Sequence, residues 1–461
     1  MLDTVFNMDN NFQTLSRHRS SVKGVSYVPV VKSILIYAIG IAFLRAINIG
    51  YNFNGVVFSF LLATISSIPI MAYIWHQTQS TPIKIMLLSY WPIITLVFLL
   101  TSDMSAGSGD GEVFLQLTKR FSNDVLKQGN LWPGLDYFKS VSITYWFTIY
   151  FYSIPFYLFN DAYEAIFPFA GFIVVIISYL FFALAYQRSN DIRISLLTFI
   201  TFLFYPGYWL HNLNVERDII ILLLLVVFSI VLSKISRKTW IIPLLSIIVL
   251  FIFMSGSRSE YIIVFILFIG AEILGRNTQA TVKPIYLLVF IFVGIAIISS
   301  INVFTPSGTR SFSQIGLTNT LNIFEKIISF PARVFYSAVG AFPWTRSGIV
   351  DAVGHNKIHL VLHIISTVIR IIIIMAFTNG IYKSLQKTDK ELEKYKLWMY
   401  QGGILMLTVQ FSSIGYTRYI DPSIVFLIPL ILHIIKRRVI IYAFCAIIVL
   451  LGAHYLYYIS I

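Results

Sequence analysis

Single arginines stand in three short polar segments between apolar runs of this sequence. The segments read HNLNVERD, SGSRSE and YTRYIDP, and their only basic side chains with a permanent charge are Arg217, Arg258 and Arg418. Arginine offers a planar fork of donors that matches phosphate oxygens in pairs, whereas lysine is a hydrated point charge. The pattern therefore favours phosphate recognition. Segment 305–358 adds three further arginines: Arg310, Arg333 and Arg346.

Local ion pairing is the alternative interpretation of these arginines. Acidic side chains stand close to them in the same segments: Glu216, Asp218, Glu260 and Asp421. Most ion pairs at a protein surface contribute little to stability, so such pairs would only shape the loops. For six arginines that share one side of the protein, we favour the phosphate interpretation.

Two carboxylates are candidates for a general base. Asp110 and Glu112 lie in GSGDGEVFLQLTKRF, where a glycine-rich turn leads into a predicted amphipathic helix. A sugar hydroxyl must lose its proton to attack, and a carboxylate beside a phosphate site can accept that proton. Asp110 would equally serve as a helix cap that accepts hydrogen bonds from free backbone N–H groups. Both roles stay open.

Histidines and a tryptophan complete the set of candidate site residues. His355, His359 and His363 are four residues apart and share one face of a predicted helix. No carboxylate stands at the spacing that zinc motifs usually show, so we predict no metal. His355 is the candidate catalytic histidine of the three. Trp344, in SAVGAFPWTR, would stack on a sugar ring or anchor the chain at a membrane interface.

The composition requires lipid around the elements that position these residues. Of the 461 residues 57% are hydrophobic and 12% are charged, and the mean hydropathy is +0.80, far from the balance of soluble proteins. The single cysteine, Cys445, excludes an internal disulfide. The sequence contains no phosphate-binding loop, dinucleotide fingerprint, nucleophile elbow or internal repeat, so we predict no cofactor.

Apolar runs predict an all-α, polytopic transmembrane bundle with about 13 spans, in the range 12 to 14. The tail 1–29 precedes a single transmembrane domain at 30–461, whose two large external loops are 101–163 and 305–358. The aromatic segment 141–159 is predicted as an interfacial helix within the first loop. The predicted spans are 30–49, 56–75, 83–100, 164–186, 194–210, 219–233, 240–254, 261–274, 285–304, 359–378, 398–414, 423–435 and 439–458.

Positive charge fixes the predicted orientation. With the N-terminus in the cytoplasm, every cytoplasmic loop carries or borders lysine or arginine, as in the pair Arg188 and Arg193 or the run Lys436, Arg437 and Arg438. This arrangement explains the net charge of +14 without nucleic acid.

Arg370 lies half-way along the span 359–378. An unpaired charge there costs about 2.5–3.5 kcal/mol, so we expect Arg370 to face the bundle or a cavity.

Three stretches resemble the bacterial O-antigen and exopolysaccharide repeat-unit polymerases, the Wzy-type membrane glycosyltransferases. They are GDGEVFLQLTKRF, NLNVERDIIILLLLVV and ARVFYSAVGAFPWTR. The resemblance implies a GT-C-like helical fold in the bacterial inner membrane and polymerisation of undecaprenyl-diphosphate-linked repeat units at the periplasmic face. It further implies lipid-linked glycans and a chain-length regulator protein as partners, and no nucleotide sugar.

Two other functions stay open at this point. An O-antigen ligase, or another GT-C enzyme that uses polyprenyl-linked sugars, would need the same candidate residues. A flippase for lipid-linked oligosaccharides, or another transporter, would be expected to carry charged residues deep in several helices and often an internal repeat. The sequence shows one clearly deep charge, Arg370, so we rank transport below the enzymes.

Overall fold

The computed structural model of the chain describes residues 25–46, 55–101, 110–130, 137, 145–159, 163–212, 218–235, 240–258, 261–277, 357–386, 395–412 and 417–434. Within these ranges the protein is helical and has no β-strand, which confirms the predicted all-α class for this part of the chain. The predicted spans 285–304 and 439–458 lie outside the described residues.

Fourteen α-helices lie in the described ranges. In chain order they are α1 (Val28–Ala46), α2 (Gly55–Gln77), α3 (Thr81–Thr101), α4 (Asp110–Phe121), α5 (Trp146–Leu158), α6 (Ile166–Ser189), α7 (Ile192–Leu203), α8 (Pro206–Asn212), α9 (Asp218–Lys234), α10 (Ile241–Ser255), α11 (Tyr261–Asn277), α12 (Lys357–Gln386), α13 (Lys396–Ser412) and α14 (Thr417–Ile434). A π-helical turn, Ser122–Leu126, follows α4.

Four of the described helices are long and apolar enough to cross a membrane: Gly55–Gln77 in α2, Thr81–Leu100 in α3, Ile166–Ser189 in α6 and Ile364–Tyr382 in α12. A helix of about 20 residues spans a hydrocarbon core of about 30 Å. Helices α1, α10, α11 and α14 include shorter apolar stretches. The count of about thirteen spans stays a prediction.

The bundle exposes large apolar side chains, as a protein surrounded by lipid does. On α2 these are Val57, Leu61, Ile65 and Ile68, which recur at helical spacing on one face. Helix α10 is exposed in the same way, and its Ile242 is 78% exposed. A continuous apolar surface of this kind has no place in water, so it supports a bilayer as the solvent.

Helix α6 lies at the centre of the bundle. Every residue of its apolar window is buried, and it packs against α2, α7 and α9. Helix α14 packs against α7, α12 and α13 on another side. Gly402 of α13 allows a close approach there, because a Cβ at this position would lie 2.5 Å from the Leu427 side chain.

The segment predicted as one span at 194–210 is two helices. Helix α7 ends at Leu203 and α8 begins at Pro206, since proline lacks the N–H that would continue a helix and suits a first helical position. The indole of Trp209 donates to the freed Leu203 carbonyl at 3.1 Å. The break leaves Tyr205 between two helices.

Helices α4 and α5 form a small unit with their own apolar cluster of Phe121, Val125, Leu126 and Ile149. The predicted amphipathic helix after the glycine-rich turn is therefore present as α4. The unit contacts the end of α10 and the turn after it: the Phe147 N–H donates to the Gly256 carbonyl at 2.9 Å, and Phe147 stacks on Phe253 of α10 with ring centres 4.4 Å apart. An interfacial position for segment 141–159 stays a prediction.

Candidate functional site

A buried ion pair joins α12 to α14. Arg370 donates from Nε to Asp421 Oδ1 at 2.7 Å and from Nη2 to Asp421 Oδ2 at 2.9 Å, and neither side chain is exposed. The expectation that Arg370 faces the bundle is therefore confirmed. The sequence had Asp421 in a polar turn beside Arg418, whereas α14 begins at Thr417 and presents Asp421 to an arginine 51 residues away.

The break between α7 and α8 adds a tyrosine to this ion pair. The Tyr205 hydroxyl donates to Asp421 Oδ1 at 2.5 Å. Gly207, in the first turn of α8, comes so close that a Cβ would lie 2.7 Å from the Tyr205 ring and 2.8 Å from Asp421 Oδ2. The same Cβ would lie 3.0 Å from Ser366 Oγ, so any larger residue would displace the cluster.

Tyr208 extends the polar group from Asp421 to a second aspartate. Its ring centre lies 5.8 Å from that of Tyr205, and its hydroxyl interacts electrostatically with Asp421 and Asp218. Helix α8 accordingly packs against α9, α12 and α14, which carry Asp218, Arg370 and Asp421. Among the described residues neither the Tyr208 hydroxyl nor Arg370 Nη1 has a hydrogen-bond partner, and both atoms are buried.

Arg258 forms the outermost part of this group. Its Nη1 lies 3.9 Å from Asp218 Oδ1, with side-chain exposures of 12% for Arg258 and 6% for Asp218. The guanidinium also lies over the Tyr261 ring, 5.5 Å from its centre. Asp218 is among the acidic neighbours that the local-pairing interpretation considered, but it pairs with an arginine of another segment. We call Arg370, Asp421, Tyr205, Tyr208, Asp218 and Arg258 the Asp421 cluster.

A second polar group lies at the opposite end of α7. Arg188, near the end of α6, donates from Nη1 to Gln401 Oε1 at 2.8 Å and lies 3.6 Å from Glu272 Oε2. Its guanidinium covers the Trp398 ring at 4.6 Å, and Gln401 donates to Ser229 Oγ at 3.3 Å. We call these five residues the Arg188 cluster. The 12 residues of α7 separate the two ends by about 18 Å.

Of the six predicted phosphate-binding arginines, the described side chains include Arg258, which the fold brings beside Asp218. Asp110 and Glu112 lie in the first turn of α4 and Arg418 in that of α14, while their side chains lie outside the described part of the structure. The remaining predicted site residues lie wholly outside the described residues: Arg217, Arg310, Arg333, Arg346, Trp344 and His355.

The sequence interpretation missed the tyrosines and Gly207 of the site. A signal was present in FLFYPGYWL, where a Pro-Gly pair interrupts an apolar run, because such a pair marks a break in a helix. The described residues include no group of three or more His, Cys, Asp or Glu side chains that could hold a metal ion.

No family model, no curated protein and no solved structure matches this chain.

Proposed function

We propose that this chain polymerises undecaprenyl-diphosphate-linked oligosaccharide repeat units at the periplasmic face of the bacterial inner membrane. The observation that carries the proposal is the Asp421 cluster, a group of arginine, aspartate and tyrosine side chains at one end of an apolar helical bundle. Under the predicted orientation, with a cytoplasmic N-terminus and about thirteen spans in a GT-C-like fold, this end faces the periplasm. The cluster is thus near the two predicted external loops.

The proposed reaction is glycosyl transfer without a nucleotide sugar. A hydroxyl of the incoming unit attacks the anomeric carbon of the growing glycan, the bond from that carbon to the diphosphate oxygen breaks, and undecaprenyl diphosphate leaves. Asp110, Glu112 or His355 accepts the hydroxyl proton. The six arginines stabilise the charge that develops on the leaving diphosphate, and Trp344 stacks on a sugar ring. A chain-length regulator is the proposed protein partner.

Deletion of the gene tests the activity through the surface polysaccharide. We expect glycans that carry a single repeat unit and accumulation of lipid-linked repeat units, since every step except polymerisation continues. The wild-type chain supplied on a plasmid should restore long polymer. Surface lipid that carries no repeat unit would contradict the proposal and indicate a ligase or a flippase instead.

A transporter of lipid-linked oligosaccharide is the second candidate, and one observation favours it. Buried charges are more numerous in the fold than the sequence indicated, because Arg188, Glu272, Asp218 and Asp421 are buried together with Arg370. Transporters commonly carry such groups inside the bundle. The deletion strain separates the two candidates, since loss of a flippase leaves no glycan on the outer face while loss of a polymerase leaves single units.

Reporter fusions test the orientation on which both candidates depend. A fusion at Ser108, in the first large loop, should report the periplasm, whereas a fusion at Lys390, between α12 and α13, should report the cytoplasm. A fusion after the N-terminal tail is the control and should agree with Lys390. A periplasmic Lys390 would remove the Asp421 cluster from the proposed side of the membrane.

A further inference from the structure

The charges of the Asp421 cluster balance. Among the described side chains of this group, Arg370 pairs with Asp421 and Arg258 pairs with Asp218, so these four residues together carry no formal net charge. A diphosphate next to Tyr208 would face both carboxylates, with which this hydroxyl interacts. Like charges at such distances repel, and they repel more strongly where water is excluded. The interior of the cluster is therefore poorly suited to a phosphate.

Hydroxyl groups match the atoms that the cluster leaves available. In the described part of the protein, Arg370 Nη1 and the Tyr208 hydroxyl are buried without a hydrogen-bond partner. Arg370 Nη1 can only donate, whereas a tyrosine hydroxyl both donates and accepts. A sugar hydroxyl also does both, so it can satisfy either group without adding charge. Buried donors left without a partner cost free energy, which a bound hydroxyl would recover.

We infer that the interior of the Asp421 cluster, around Tyr208 and Arg370 Nη1, binds hydroxyl groups of the glycan part of the substrate rather than its diphosphate. The inference rests on the proposed function for the identity of the glycan. It divides the substrate between two places, with the diphosphate at the external arginines and a sugar inside the cluster.

The position of each member gives the direction of entry. Arg258 retains 12% of its side-chain exposure, while Arg370 and Asp421 are fully buried and Tyr208 is 1% exposed. A sugar therefore reaches Tyr208 past Arg258 and the Tyr261 ring that lies under it. The rings of Tyr205 and Tyr208 also lie close to Asp421.

Tyr208→Phe in the full-length protein tests the inference, because it removes one hydroxyl and keeps the ring. Two probes separate the parts of the substrate. One is the oligosaccharide released by mild acid from the lipid-linked pool of the host, and the other is farnesyl diphosphate, which carries no sugar. We expect the variant to bind the oligosaccharide about fivefold more weakly, as loss of one hydrogen bond predicts, and farnesyl diphosphate as the wild type does.

Tyr37→Phe is the matched control. The Tyr37 hydroxyl of α1 is also buried, and it too has no hydrogen-bond partner in the described ranges, but its ring stacks on Phe172 of α6, outside the cluster. This variant should bind both probes like the wild type. Both substitutions remove a buried hydroxyl that has no hydrogen-bond partner in the described part of the protein, so neither should lower the folded yield.

Other outcomes would overturn the inference. Weaker binding of farnesyl diphosphate by Tyr208→Phe would identify a phosphate site, and unchanged binding of both probes would leave Tyr208 a packing residue. Absence of oligosaccharide binding by the wild type would also refute it. The polymerase proposal is tested separately by the deletion strain: a ligase or flippase phenotype would end that proposal, while the oligosaccharide measurement would still decide the role of the cluster.

Discussion

The Asp421 and Arg188 clusters are two buried ionic groups with different designs. The first is organised around a carboxylate, which receives two hydrogen bonds from Arg370 and one from Tyr205. The second is organised around a guanidinium, which contacts an amide, a carboxylate and an indole ring on α11 and α13. A bidentate pair fixes the orientation of both partners, whereas the separate contacts of Arg188 mainly connect α6 to α11 and α13.

The two arrangements predict different losses of stability on substitution. Asp421 accepts hydrogen bonds of 2.5–2.9 Å from Arg370 and Tyr205. Loss of Arg370 or of Asp421 therefore leaves the charge of the other fully buried. Arg188 lies 3.6 Å from Glu272 and keeps its hydrogen bond to Gln401 if that carboxylate is lost. We therefore expect the bundle to tolerate changes at the Arg188 end better than changes at the Asp421 end.

Asp421→Asn should have the largest effect on folding. The amide leaves Arg370 buried without a counter-charge, a situation that costs about 3–5 kcal/mol, and the free energy of unfolding in detergent measures the loss. The double variant Arg370→Met with Asp421→Leu should recover most of this loss, because apolar residues can replace a buried pair, yet it should not recover polymer. An Asp421→Asn protein as stable as the wild type would abolish the contrast between the clusters.

Gly207→Ala should be the next most damaging change. Its Cβ would lie within 2.8 Å of both the Tyr205 ring and Asp421 Oδ2, and overpacking of this kind costs about 1–3 kcal/mol. Gly171→Ala is the control, since there the nearest atom, of Trp91, is 3.4 Å away. The measurement is the thermal unfolding midpoint, which should be lower for Gly207→Ala than for Gly171→Ala. Equal midpoints would show that α8 can move away from the cluster.

Glu272→Gln should cost about 1–2 kcal/mol, less than Asp421→Asn. The amide keeps the shape of the side chain, and Arg188 retains its hydrogen bond to Gln401 and its position over Trp398. The measurement is again the free energy of unfolding in detergent. A cost equal to that of Asp421→Asn would show that the 3.6 Å contact carries as much stability as the bidentate pair.

Arg258→Lys should have the smallest effect on folding, about 0.5 kcal/mol, because lysine keeps the charge beside Asp218. Polymer extension should nevertheless fall about tenfold, since lysine lacks the arginine fork and loses one charge-assisted hydrogen bond to the diphosphate of the substrate. Arg120→Lys is the control, because Arg120 is 60% exposed and pairs with Asp124 on the surface of α4. Normal polymer length in Arg258→Lys would favour the local ion-pair interpretation of this arginine.

The sequence by itself determined most of the helical elements and the inward position of Arg370. Apolar runs and their flanking residues are local, so helices were expected where α1 to α3, α6 and α9 to α14 lie. The cost of a charge in lipid required Arg370 to face the interior. The amphipathic pattern that predicted α4 likewise extends over a few residues.

Only the tertiary structure decided which groups meet. Asp421 meets Arg370 across 51 residues and Tyr205 across 216, and Arg188 meets Gln401 across 213. Such pairs depend on which helices pack side by side and at what height, and helical periodicity gives neither. The break before Pro206 illustrates the same limit: a Pro-Gly pair signals a helix end, but only the packing of α8 against α12 and α14 brings Tyr205 to Asp421, since that packing depends on close contact at Gly207.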